Sequence, residues 1–167
     1  MLIIIEGPDN TGKTTLARHL QEVFTLDYIH CSKPKTDNPF QEYLSMFSDL
    51  NVPTVIDRAH LGEYVYSKLW RDGCSITDKQ FKLLDLEAMS RFEYTIIIHA
   101  QAPNEIILER CKNNNEKLLK PEQINRCSEL FHEIFQKTDI PAINYLSHID
   151  TPESIVELLC QMGLNIS

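Results

Sequence analysis

The 167-residue chain lacks any apolar run approaching the roughly 20 residues that a membrane-spanning helix needs. It lacks a basic excess as well: 16 Lys and Arg stand against 24 Asp and Glu, a formal charge of −8. So negative a surface attracts neither DNA phosphates nor anionic lipid headgroups in bulk, and an anionic ligand must be drawn in by a local positive site. Cys31, Cys74, Cys111, Cys127 and Cys160 are odd in number, scattered and without a CxxC pair. That fits reduced thiols in a cytoplasm better than a disulfide frame or a zinc site. The six histidines show no metal spacing, and no nucleophile elbow or dinucleotide fingerprint is present. The start does not read as a signal peptide, because residues 1–5 are too short an apolar run, have no basic flank and are followed by Glu6. No repeat, low-complexity tract or linker divides the chain, so residues 1–167 read as one domain.

What is present is a globular composition, 43% hydrophobic and 24% charged, with short β-branched runs alternating with helical patterns. Strands are expected at 1–5, 28–30, 54–56, 94–99 and 142–146. Helices are expected at 14–24, 40–50, from just after Arg58 to the Arg71-Asp72-Gly73 stop, 76–92, 105–112, 121–137 and from Pro152 to near Gly163. Pro103 is expected at a first helical position. Five short buried strands between helices imply a parallel sheet covered on both faces.

Gly7-Pro8-Asp9-Asn10-Thr11-Gly12-Lys13-Thr14 matches G-x-x-x-x-G-K-[ST] in full. Its glycines let successive N–H groups turn toward phosphate oxygens, and the helix that follows adds its positive end. Lys13 can bridge the β- and γ-phosphates, and the Thr14 hydroxyl is placed for Mg²⁺. Chance yields such a match about once in a hundred chains of this length or fewer, and here a strand precedes the loop and a helix follows it. Gly7, Asn10, Thr11, Gly12, Lys13, Thr14 and Thr15 are therefore the expected ATP-binding set. The expected fold is a P-loop α/β three-layer sandwich with a five-stranded parallel sheet and a short lid at about 110–121. At the end of the third strand, Asp57-Arg58 points toward the ligand crevice. The acid can hold a metal-bound water or orient an attacking oxygen, and the arginine can clamp a phosphate.

Residues 6–15, followed by Asp57-Arg58, resemble the thymidylate kinase family of nucleoside monophosphate kinases, its short, phage-like members in particular. The order of elements carries the resemblance over most of the chain, but only the phosphate loop and the Asp-Arg pair are specific. The resemblance implies that Asp57 lies near the reacting phosphates and metal, that Arg58 binds the acceptor 5′-phosphate, and that Asp9 meets a sugar 3′-hydroxyl. Some members carry a catalytic arginine directly after that acid, where this chain has Asn10. The family's other solution places basic residues in a lid, and Arg110, Lys112, Lys117 and Lys120 occupy that region, Arg110 first among them.

Glu63, Tyr66 and Trp70 share one helical face. The resemblance puts the acceptor's base and sugar there, with Glu63 departing from the Asn, Gln or Ser it implies. Phe40, Tyr43 and Phe47 offer either a stacking face for a base or core packing. Arg71 can reach a base carbonyl or a phosphate, and it is also an ordinary helix C-terminal cation. The expected activity is Mg²⁺-dependent transfer of the ATP γ-phosphoryl group to a deoxynucleoside 5′-monophosphate, dTMP first. The catalytic set is Lys13, Asp57, Arg58 and Arg110, the metal set Thr14 and Asp57, and the acceptor set Asp9, Phe40, Arg58, Glu63, Tyr66 and Arg71. Two alternatives stay open: a P-loop kinase with another acceptor (a deoxynucleoside, a modified pyrimidine nucleotide, a base or end in DNA), and a non-catalytic nucleotide switch. Expected partners are small nucleotides, with neither membrane nor nucleic acid. A second copy could dock through Leu83, Leu84, Leu86 and Met89, and the same residues could equally be core. The expected location is the cytoplasm, a host's if the gene belongs to a phage.

Overall fold

The computed structural model of the protein describes residues 1–71, 75–114 and 121–164. Five strands, β1 (Leu2–Glu6), β2 (Asp27–His30), β3 (Thr54–Asp57), β4 (Thr95–Gln101) and β5 (Ala142–Leu146), form one all-parallel sheet in the order β2-β3-β1-β4-β5. Among the described residues seven helices cover it: α1 (Lys13–Phe24), α2 (Pro39–Asp49), α3 (His60–Trp70), α4 (Asp78–Arg91), α5 (Asn104–Asn113), α6 (Pro121–Phe135) and α7 (Pro152–Gln161). This is the α/β three-layer sandwich that alternating strands and helices imply.

The strand β1 shows why the sheet forms. All five of its residues are buried, and its apolar side chains alternate between two cores. Leu2 and Ile4 join Phe47, Leu61, Val65 and Phe131 under α2, α3, α4 and α6. Ile3 and Ile5 join Leu16, Leu20 and Leu159 under α1 and α7. A one-residue slip would exchange the two sets, so register is held from both faces.

Helix ends follow local chemistry. Asn38 caps α2, Thr77 and Gln80 form a capping box on α4, and Thr151 caps α7. Pro103 is the residue before α5, with extended ψ, and the helix begins at Asn104. The leucines of α4 divide: Leu84 is buried, whereas Leu83 and Leu86 face solvent. That stretch is thus partly core rather than one apolar face. The four described cysteines are free thiols. No helix among the described residues is long and apolar enough to cross a membrane.

The carboxyl ends of β1, β3 and β5 bring the site together. β3 and β4 flank β1 on opposite sides, so the winding of the chain reverses about β1. The crevice beyond the carboxyl ends of such strands is where ligands of open α/β sheets bind. The segment after Glu6, the Asp57-Arg58 pair and the loop after Leu146 all open there.

Candidate functional site

The phosphate loop is built by conformations that few side chains tolerate. Gly7 has φ +144°, and a Cβ there would lie 2.1 Å from the Ala100 carbonyl oxygen. The loop backbone is thus pressed against β4, and glycine is required. Asn10 (φ 61°) and Gly12 (φ 81°) complete the turn in the left-handed region. Thr11, buried, ties the loop to itself by donating its hydroxyl to Pro8 O at 2.7 Å. Lys13 folds inward, donating to Pro8 O at 2.6 Å with Asp9 Oδ1 at 3.9 Å. Burial lowers its pKa and the Asp9 carboxylate works against that.

Asp57 is fully buried, and three groups converge on its Oδ2. Thr14 Oγ1 donates at 2.6 Å, Tyr28 Oη donates at 3.2 Å, and His30 Nδ1 lies at 3.1 Å. His30 stands directly opposite Asp57 in the β2–β3 ladder. The second oxygen, Oδ1, is buried with no hydrogen-bond partner among the described residues. A threonine hydroxyl beside a carboxylate with an unused oxygen is a hard, all-oxygen donor pair. It fits Mg²⁺, which takes few protein ligands and keeps the rest for water and phosphate.

Arg58 has φ 71°, a left-handed conformation uncommon outside glycine, and such strain concentrates at functional sites. Its Nη2 donates to Asp9 Oδ1 at 2.8 Å. The Asp9–Arg58 pair separates two adjoining clefts and lines both. The first, about 640 Å³, is walled by Gly12, Lys13, Thr14, Thr15, Arg110 and Ser147. The second, about 430 Å³, runs along α3 past Tyr43, Glu63, Tyr66, Trp70 and Arg71.

In the second cleft Glu63 is almost wholly buried. Arg71 Nη2 lies 2.8 Å from its carboxylate, and the Ser75 hydroxyl donates to it. A carboxylate and a guanidinium thus stand side by side in the wall. Tyr66 packs edge-to-face on Phe131, ring centroids 5.8 Å apart. Burial raises its pKa well above the ordinary tyrosine value. Phe40 does not line this cleft; it packs partly buried on the core, and Phe47 is fully buried. Tyr43, one turn beyond Phe40, is the α2 aromatic in the wall.

Arg110 lies in the last turn of α5 and reaches back over the first cleft. Its Nη1 donates to Asn10 O at 3.0 Å and Ser147 Oγ at 2.8 Å, and its Nη2 to Ser147 O at 2.9 Å. Asn114 Nδ2 donates to Asn10 Oδ1 at 2.9 Å beside it. The end of α5 therefore clasps the phosphate loop. Lys112 is exposed near that end, and Lys117 and Lys120 lie outside the described residues.

Sequence reasoning missed Glu6, Tyr28 and His30. A signal existed for His30, because it ends a strand, and strand ends face the crevice. None existed for the partner of Glu6. Its Oε1 accepts from Ala59 N at 2.8 Å and Gly62 N at 2.9 Å, across more than 50 residues.

No protein-family model and no curated protein matches this chain. Solved structures do. The YorR protein of Bacillus subtilis, in complex with phosphorylated GDP, superposes with a TM-score of 0.83 over 98% of this chain and 95% of its own, at 20% identity. Deoxyadenosine kinase from M. mycoides with bound dATP gives 0.66 over 98% and 100%, at 15% identity, and with bound dCTP 0.64 over 98% and 99%, at 14%. At these identities the likeness is one of fold: the chain has the fold of P-loop kinases.

Proposed function

We propose that the protein is a Mg²⁺-dependent phosphotransferase that moves the γ-phosphoryl group of ATP to a deoxynucleoside 5′-monophosphate, dTMP being the acceptor that the sequence resemblance implies. The observation that carries this reading is the pair of adjoining clefts with Arg58 and Asp9 in the wall between them. One cleft holds the phosphate loop, and the other is walled by aromatic rings and a buried carboxylate–guanidinium pair. Neighbours of the same fold hold nucleotides: phosphorylated GDP in YorR, dATP and dCTP in deoxyadenosine kinase. That supports a nucleotide as a ligand of this chain.

In this reading the loop N–H groups and Lys13 bind the donor phosphates. Thr14 and Asp57 would hold Mg²⁺, which when bound neutralises charge on the phosphates. Arg58 exchanges Asp9 for the acceptor phosphate, a bidentate role suited to guanidinium. That exchange frees the Asp9 carboxylate to accept from the acceptor's 3′-hydroxyl. Tyr43, Tyr66 and Trp70 take the base and sugar. Arg110 exchanges its Ser147 contacts for the transferring group and screens its charge. Catalysis is positioning plus charge neutralisation, without a covalent intermediate.

The likeness to deoxyadenosine kinase favours one second reading, in which the acceptor is the unphosphorylated deoxynucleoside. ADP release from Mg-ATP, measured with single nucleosides and 5′-monophosphates, separates the two. Stimulation by dTMP well above dCMP, dGMP and dAMP is expected. Stimulation by nucleosides alone would remove Arg58 from an acceptor-phosphate role, and no stimulation by any of them would overturn the kinase reading.

A further inference from the structure

Glu6 ends β1 immediately before Gly7 and is fully buried, yet the reading above gives it no task. Its Oε1 accepts from two backbone amides, Ala59 at 2.8 Å and Gly62 at 2.9 Å. These belong to the cap residue and the third residue of α3. Ala59 has no side chain with which to cap its own helix. The cap is delivered instead by a strand that lies more than 50 residues earlier in sequence. An acid at a helix N-terminus also meets the positive end of the helix dipole.

The consequence lies in what sits on either side of Glu6. Toward its C-terminal side, the next peptide is the root of the phosphate loop, wedged at Gly7 against the Ala100 carbonyl. Toward its N-terminal side, Ile5 O accepts from Arg58 N at 3.0 Å. Two consecutive residues of β1 therefore hold Arg58 and Ala59. Because Arg58 is in the strained left-handed region, its side-chain direction depends on where Ala59 is held. The same helix carries Glu63 and Tyr66 into the second cleft.

We propose that Glu6 is a positioning residue that sets the register between the phosphate loop and α3, and so between donor and acceptor. The proposal rests on the kinase reading for its catalytic consequence, and on the two amide bonds for its structural one. A misplacement of about 1 Å between reacting groups can cost 10²-fold in rate. Glutamine can accept the same two bonds through its amide oxygen, and alanine cannot.

The test compares Glu6→Ala, Glu6→Gln and Gly62→Ala with wild type. The readouts are thermal midpoint, Mg-ADP dissociation constant, steady-state kinetics against the best acceptor, and hydrogen exchange at the Ala59 and Gly62 amides. For Glu6→Ala, Mg-ADP affinity should stay within about threefold while acceptor kcat/KM falls about 10²-fold. The two amides should lose at least about tenfold in protection. Glu6→Gln should return both quantities to within about fivefold of wild type. A folded Glu6→Ala with wild-type turnover, or a Glu6→Gln as slow as Glu6→Ala, would overturn the proposal. Should Glu6→Ala not fold, Gly62→Ala carries the test. Alanine favours helix, but its Cβ would stand 3.0 Å from Glu6 Oε2 and displace the carboxylate. A folded protein with several-fold lower kcat is expected, and unchanged kcat would refute the register role. If wild type shows no kinase activity the functional reading fails, while protection of the two amides still decides whether Glu6 clamps α3.

Discussion

Replacing Glu6 by glutamine should change how stability depends on pH, by an amount the burial of Glu6 dictates. Burial raises the Glu6 pKa from 4.5 to about 7, and the Gly62 and Ala59 amides, Lys13 and Arg58 pull it back only in part. The unfolded chain releases this proton near 4.5, whereas the folded protein keeps it up to about 7. Between those values the folded state holds more protons, so wild-type stability is lost as pH rises. The full displacement corresponds to about 3 kcal/mol, of which roughly 2 to 3 kcal/mol fall between pH 5 and pH 8. Glutamine keeps the two bonds to α3 but places an amide nitrogen where Oε2 has no partner among the described residues. That cost is independent of pH and cancels when the mutant–wild-type difference at one pH is subtracted from that at another. Urea unfolding of both proteins at half-unit steps from pH 5 to 8 measures it. The variant should gain on wild type by roughly 2 to 3 kcal/mol across the range. A difference constant to within about 0.5 kcal/mol, or one moving the other way, would refute the assignment of a proton to buried Glu6.

Three further outcomes are expected. Lys13→Ala should lower kcat by at least about 10²-fold, with no loss in thermal midpoint, because a buried ammonium is removed; normal turnover would sink the donor assignment. Gly7→Ala should destabilise by at least about 3 kcal/mol, since its Cβ would overlap the Ala100 carbonyl at 2.1 Å, and urea midpoints or soluble yield report it. Asp85→Ala should cost about 3 to 5 kcal/mol in urea unfolding. It strips acceptors from the buried His60 Nε2 (2.8 Å), the half-buried Thr138 hydroxyl (3.0 Å) and the Asp139 amide (2.8 Å). Asp85→Asn should cost clearly less, because one amide oxygen can still serve the latter two.

Much of this architecture is written in short stretches of chain. The run 2–5 reads as a strand because β-branched and leucine side chains suit a sheet covered on both faces. The segment 7–14 reads as a phosphate loop because glycines and lysine recur at one spacing between a strand and a helix. Asp57-Arg58 could be placed in the crevice without knowing the sheet order, because every parallel strand presents its carboxyl end to the same side. Phe40 shows the limit of this reasoning. It and Tyr43 lie one turn apart, and the small rotation of α2 on the core that turns Tyr43 rather than Phe40 to the cleft is set by packing. Arg110 shows another: no local pattern tells that its guanidinium clasps Asn10 and Ser147 over the first cleft.

By itself, then, the amino-acid sequence determined the alternating elements, the phosphate loop and the acid–arginine pair at the end of β3. Each depends on neighbours within one strand, turn or helix, whose geometry is local. Only the tertiary structure decided that β3 lies between β1 and β2, which places His30 and Tyr28 on Asp57 and puts Glu6 beneath α3. Those contacts join residues 27 to 56 positions apart, and they exist because a parallel sheet brings strand ends together in an order that no local pattern encodes.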